Sequence, residues 1–134
     1  MKKRILIIDD ETSIQESLSG VLEDEGFSSL TTSTAEHGLE LLEEENIDLI
    51  LLDIWLGEGM DGMTALEKIK ERSDIPVIMI SASLRDERKA FDHGARFFFQ
   101  KPCDLQVLLA ALRTVIAEPL SLETCADPSE TCVE

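Results

Sequence analysis

Asp9, Asp10, Asp53, Ser81 and Lys101 are the residues of this sequence that could do chemistry together. Each stands at the carboxyl end of a strand-like run. Ile5 to Ile8 ends on Asp9 and Asp10, and Leu49 to Leu52 ends on Asp53. Pro76 to Ile80 ends on Ser81, and the run closing at Gln100 is followed by Lys101-Pro102. Carboxylates crowded within a few ångström repel one another and call for a cation. Hard oxygen ligands with room for water and phosphate oxygens suit magnesium. One carboxylate of such a set can attack a phosphoryl group and form an acyl phosphate. The metal, an ammonium and a hydroxyl would then hold the phosphoryl oxygens. Asp53 is the best nucleophile because its strand is central, which leaves Asp9 and Asp10 mainly as metal ligands. Taken singly, each residue has a plainer reading: an aspartate starting a turn, a surface lysine, a serine capping a helix. For Ser81 that plainer reading is a serious rival.

The elements that must position these groups follow from periodicity. Ile14, Leu18, Val21 and Leu22 recur at helical spacing after Thr12 and Ser13, either of which can cap a helix, and Gly26 stops it. Ser28 to Thr32 reads as a short, hydroxyl-rich edge strand. Thr34 caps a helix bearing Ala35, Leu39 and Leu42, which ends in the acidic run Glu43 to Glu45, a solvated face. After Asp53 comes a loop with three glycines, Gly57, Gly59 and Gly62. Helices are expected over Thr64 to Arg72 and Leu84 to His93, then a fifth strand over Ala95 to Gln100. Asp104 caps a last helix whose stripe is Leu105, Leu108, Leu109, Leu112 and Ile116. Strand and helix alternate five times, which predicts an α/β, doubly wound five-stranded parallel sheet with helices on both faces. Such sheets gather ligands at the carboxyl ends of their strands.

Bulk properties narrow the class. A chain of 134 residues suits one domain. We expect that domain to span residues 1–117, followed by an acidic, disordered tail or linker stub over 118–134. No stretch is long and apolar enough for a membrane span or a signal-peptide core, so a soluble, cytoplasmic protein is expected. A net charge of −16 argues against direct binding to nucleic acid or an anionic membrane. Cys103, Cys125 and Cys132 are odd in number and unpatterned, so neither a disulfide framework nor a zinc site is indicated.

The ordered set Asp9-Asp10, Asp53, Ser81-Ala82 and Lys101-Pro102 resembles the receiver domain of bacterial two-component response regulators, over residues 3 to about 117. Each motif alone is weak, but the four in order are specific. The resemblance implies the strand order 2-1-3-4-5. It implies that Asp53 accepts a phosphoryl group from the phosphohistidine of a sensor histidine kinase or a phosphotransfer protein. It gives Mg2+ to Asp10, Asp53 and the backbone carbonyl of Trp55, with Asp9 acting through water. Ser81 and Lys101 would contact the phosphoryl group. Phe98 would stand at the family's aromatic switch position, and the Lys101-Pro102 bond would be cis. A receiver is a signalling switch rather than an enzyme in the ordinary sense, catalysing only its own phosphorylation and slow dephosphorylation.

The loop Trp55-Leu56-Gly57-Glu58-Gly59 departs from the common pattern by about one extra residue. In that respect it looks like the receiver of nitrogen-regulation-type regulators that carry an ATPase output domain. An aspartyl phosphohydrolase is the main rival, yet Asp9-Asp10-Glu11 lacks the Asp-x-Asp spacing which that class needs. A binding module that has lost phosphorylation is the other, yet acceptor and lysine are both present. A downstream target or output domain is expected to read the surface of Leu84 to His93, the fifth strand and the last helix. Arg85, Asp86, Arg88 and Lys89 are its exposed candidates, and a phosphorylation-dependent dimer is a further expectation. Trp55 and Ser83 are expected at the mouth of the path by which water reaches the phosphoryl group, with Trp55 excluding it and the phosphoryl group therefore long-lived.

Overall fold

Runs of Ile, Leu and Val too apolar to face water on either side pair into a parallel sheet buried on both faces. The computed structural model describes residues 3–54, 60–101 and 103–117. In chain order the elements are β1 (Arg4–Ile8), α1 (Thr12–Asp24), β2 (Ser28–Thr32), α2 (Ala35–Glu44), β3 (Leu49–Asp53) and α3 (Gly62–Arg72). Then come β4 (Val77–Ser81), a 3-10 turn (Leu84–Asp86) running into α4 (Glu87–Asp92), β5 (Phe97–Gln100) and α5 (Leu105–Ala117). The sheet order is β2-β1-β3-β4-β5, every neighbouring pair is parallel, and the hydroxyl-rich β2 lies at an edge. The fold is therefore the expected doubly wound α/β sheet, in the expected order.

Alternate residues of β1, β3, β4 and β5 feed two cores. Leu6, Ile8, Ile50, Leu52, Val77, Met79 and Phe98 pack with Leu39, Leu66, Ile69 and Ala90 on the side of α2, α3 and α4. Ile5, Ile7, Leu49, Leu51, Ile78 and Ile80 pack with Leu18, Leu22, Leu108 and Leu112 on the side of α1 and α5. Burying each such Leu or Ile side chain contributes roughly 1.5–3 kcal/mol. The strand ends are thereby fixed to a rigid double-sided core.

Helix ends follow local chemistry with some corrections. Thr34 Oγ1 accepts from the His37 N–H at 3.2 Å, and Asp104 Oδ1 accepts from the Gln106 N–H at 2.8 Å, as expected of caps. Thr12 and Ser13 do not cap α1. Both lie inside it, and Glu11 is the cap residue, with no side-chain bond to the helix. Helix α3 begins at Gly62 rather than Thr64, because Asp61 Oδ1 takes the Thr64 N–H at 2.8 Å. The segment from Leu84 opens as a 3-10 turn, with Ser83 capping the Arg85 N–H at 3.1 Å. Ala95 falls outside β5 because its N–H returns to the Ala90 carbonyl behind Gly94, which has φ +103°. Among the described residues, no helix is long and apolar enough to cross a membrane.

Candidate phosphoacceptor site

The strand register brings the sequence-distant carboxylates together. Ile8 of β1 lies beside Leu52 of β3, so Asp9 and Asp53 leave adjacent strands side by side. They are 3% and 5% exposed, while Asp10 faces solvent. One carboxylate oxygen from each of Asp9, Asp10 and Asp53 falls within a cluster no more than 4.8 Å across.

Lys101 closes the pocket from the far side. Its backbone N–H extends the β4–β5 ladder by donating to the Ser81 carbonyl at 2.7 Å. Its Nζ then reaches Asp53 Oδ2 at 3.0 Å, Asp9 Oδ2 at 3.1 Å and Glu11 Oε1 at 3.4 Å. Burial alone would lower the pKa of this ammonium. The hydrogen bonds and attraction of Asp53 and Asp9 outweigh burial and hold it above the ordinary lysine value. A lysine charged at neutral pH therefore partly neutralises carboxylates that would otherwise repel each other.

Ser81 ends β4 one residue beyond Ile80, the register partner of Asp53. Its hydroxyl is buried and accepts the Ser83 N–H at 3.2 Å. The hydroxyl thus fills the turn role that the sequence also allowed. Phe98 is 8% exposed and belongs to the core on the α3 side, whereas Phe97 and Phe99 stack with each other on the opposite face, 6.1 Å between centroids. Phe98, which the family resemblance puts at the aromatic switch position, is therefore packed inward in this structure. Leu84, Phe91 and Val107 are the large exposed apolar side chains of the expected output surface. The Trp55 carbonyl, the glycine loop 55–59, the Lys101-Pro102 bond, Cys125, Cys132 and the tail 118–134 lie outside the described residues.

Three supporting residues are not evident from sequence. Glu11 reads there only as the end of an acidic triplet. Gln15 belongs by helical spacing to the outer face of α1, yet its Nε2 donates to the Asp9 carbonyl and to Ser33 Oγ. Gly62 reads as one more loop glycine. A Cβ there would stand 2.3 Å from the Asp53 carbonyl oxygen and 2.4 Å from the Ile54 Cα. Its N–H donates to the Ile54 carbonyl at 2.8 Å, so α3 starts against the backbone that follows Asp53. Asp61 before Gly62 is the available signal, since Asp is a strong helix cap.

Known proteins resemble this chain in sequence and fold. Residues 5–113 match the response regulator receiver domain family. The chain is 38% identical over 128 residues to the nitrogen assimilation regulatory protein NtrX of Azorhizobium caulinodans, covering 92% of this chain and 27% of that protein. It is 33% identical over 113 residues to the heme response regulator HssR of Staphylococcus aureus, covering 83% of this chain and 50% of that protein. The chain thus spans half or less of these relatives' length. Among solved structures, a CheY-like receiver domain protein from Methanospirillum hungatei superposes with a TM-score of 0.80 at 35% identity, covering 87% of this chain and 94% of the other. The receiver domain of NtrX from Brucella abortus gives 0.78 at 34%, covering 84% and 97%. Since that family match spans most of the chain and the solved relatives share its fold, this chain belongs to the response regulator receiver domains of two-component systems.

Proposed function

We propose that this receiver domain is a phosphorylation-activated switch whose acceptor is Asp53. A carboxylate oxygen of Asp53 attacks phosphorus, the N–P bond of a kinase phosphohistidine breaks, and its electron pair leaves on the donor imidazole. Lys101 supplies positive charge to the phosphoryl oxygens, and the Ser81 hydroxyl at the end of the adjacent strand is a further donor for them. The observation that carries this reading is the Lys101 ammonium bonded to both Asp53 and Asp9 at the carboxyl ends of β3 and β1.

The donor set fits magnesium. Asp9, Asp10 and Asp53 offer hard oxygens within 4.8 Å, and Asp10 leaves the cluster open to solvent for water and phosphate ligands. Magnesium bound there would balance carboxylate charge and help hold the phosphoryl oxygens. Asp53 keeps the nucleophilic oxygen. Asp9, buried and bonded to Lys101, orients the ammonium.

The partners this reading requires are a histidine kinase or phosphotransfer protein upstream and an output domain or target downstream. The downstream partner would dock on the 84–93 segment, β5 and α5, where Leu84, Phe91 and Val107 offer apolar contact. Phosphorylation acts by shifting population between two packings, limited by the phosphoryl group's preference between them. Intact-mass measurement tests the acceptor. With magnesium and acetyl phosphate, the parent gains one phosphoryl group and Asp53→Asn gains none. A mass gain retained by Asp53→Asn removes Asp53 as acceptor.

A further inference from the structure

We propose that Glu11 is a positioning residue for Lys101, holding the third N–H of its ammonium until a phosphoryl oxygen takes that donor. This rests on the reading of Asp53 as phosphoacceptor.

An ammonium has three donors. Those of Lys101 meet three carboxylates: Asp53 at 3.0 Å, Asp9 at 3.1 Å and Glu11 at 3.4 Å. The first two acceptors are buried, whereas the Glu11 side chain is 57% exposed. Its bond is the longest and the best solvated, so it is the one that exchanges at least cost.

The helix beside it shows what this contact displaces. Glu11 occupies the cap position of α1, where Ser, Thr, Asp or Asn would bond the first free N–H groups. It makes no such bond. Its extra methylene carries the carboxylate past the helix end to Lys101. Its backbone is held for that reach: the Glu11 N–H donates to Asp9 Oδ1 at 2.9 Å, and its carbonyl accepts from the Gln15 N–H at 3.1 Å. A local rule of helix chemistry is broken where the side chain has another task, as functional positions commonly do.

Two substitutions separate contact from charge. Glu11→Gln keeps length and removes the charge. Glu11→Asp keeps the charge, is too short for Lys101, and is a good cap. Asp53 phosphorylation is followed at saturating magnesium over a range of acetyl phosphate concentrations. If Glu11 holds the ammonium, both variants raise the maximal rate by up to about fivefold, the ceiling for a partly exposed ion pair. Glu11→Asp also raises Tm by on the order of 4 °C through the new cap. A change confined to the half-saturating phosphodonor concentration, seen in Glu11→Gln alone, would mean a distant charge effect and overturns the proposal, as does no change at all. The Lys101 ammonium 1H–15N signal in the unphosphorylated protein gives a second readout. It should broaden or shift in both variants, and an unchanged signal overturns the proposal. Should the parent take no phosphoryl group, the phosphoacceptor reading fails, and the ammonium signal alone still decides whether Glu11 holds Lys101.

Discussion

Lys101 Nζ stands 3.0 Å from Asp53 Oδ2 across 48 residues of sequence. The contact joins the ends of β3 and β5, which are not neighbours, since β4 lies between them. It therefore reaches across the end of β4 and serves as the counter-charge for two buried carboxylates.

Removing that counter-charge has a defined consequence. Lys101→Met leaves Asp9 and Asp53 buried side by side without their ammonium. Breaking a buried pair by taking one partner typically costs about 3–5 kcal/mol, and solvent access to Lys101 places this case at the low end, about 3 kcal/mol. Magnesium should recover more stability in Lys101→Met than in the parent, because the cation no longer competes with the ammonium for the same oxygens. Urea unfolding with and without magnesium measures both effects. Equal magnesium stabilisation of the two proteins would show that metal and lysine do not share these carboxylates.

The raised Lys101 pKa sets a pH window. A lysine whose folded pKa lies above its unfolded value stabilises the fold fully below the unfolded value, about 10.4. That contribution is lost as pH rises beyond it toward the folded pKa. Between pH 7 and 9 this lysine should add no slope to stability against pH. Above about pH 10.4 the parent should lose stability faster than Lys101→Met. Parallel curves to pH 11 would show that Lys101 gains nothing from its carboxylate partners.

Much of this is legible in the sequence because buried parallel strands write themselves as continuous apolar runs with polar ends. Leu49 to Leu52 followed by Asp53 is such a signal, and it locates both the strand and its buried terminal carboxylate. The misses share a cause: they depend on where a side chain reaches in three dimensions. Glu11 looks like solvent-facing acid until Lys101 arrives from residue 101. Gly62 looks like loop punctuation until α3 folds back on Ile54. The burial of Phe98 likewise depends on how β5 packs against α3 and α4, which alternation alone does not reveal among three consecutive phenylalanines.

That burial has a measurable cost of removal. A Phe at 8% exposure in a packed core should lose about 3 kcal/mol on truncation to Ala. The Phe98→Ala midpoint in urea reads this directly. A loss under about 1 kcal/mol would instead describe a ring spending most of its time in solvent, and would restore the picture in which Phe98 moves inward only after phosphorylation.

Gly62 provides the sharpest test of how the Asp53 backbone is held. A methyl added there meets the Asp53 carbonyl oxygen at 2.3 Å and the Ile54 Cα at 2.4 Å, both backbone atoms that cannot rotate away. Either α3 lifts off or β3 shifts, and overpacking of this kind costs about 3 kcal/mol. Gly20 is the natural control. It lies in α1, and a methyl added there meets nothing within 4 Å, so Gly20→Ala should gain about 0.5–1 kcal/mol from helix propensity. Two changes of identical chemistry should thus move stability in opposite directions. Gly62→Ala should also slow Asp53 phosphorylation at temperatures where the variant remains folded, because displacement of the Asp53 backbone by even a few tenths of an ångström misaligns its carboxylate with Lys101. A Gly62→Ala protein as stable as the parent would mean that α3 can give way freely, and that Asp53 is positioned by β3 alone.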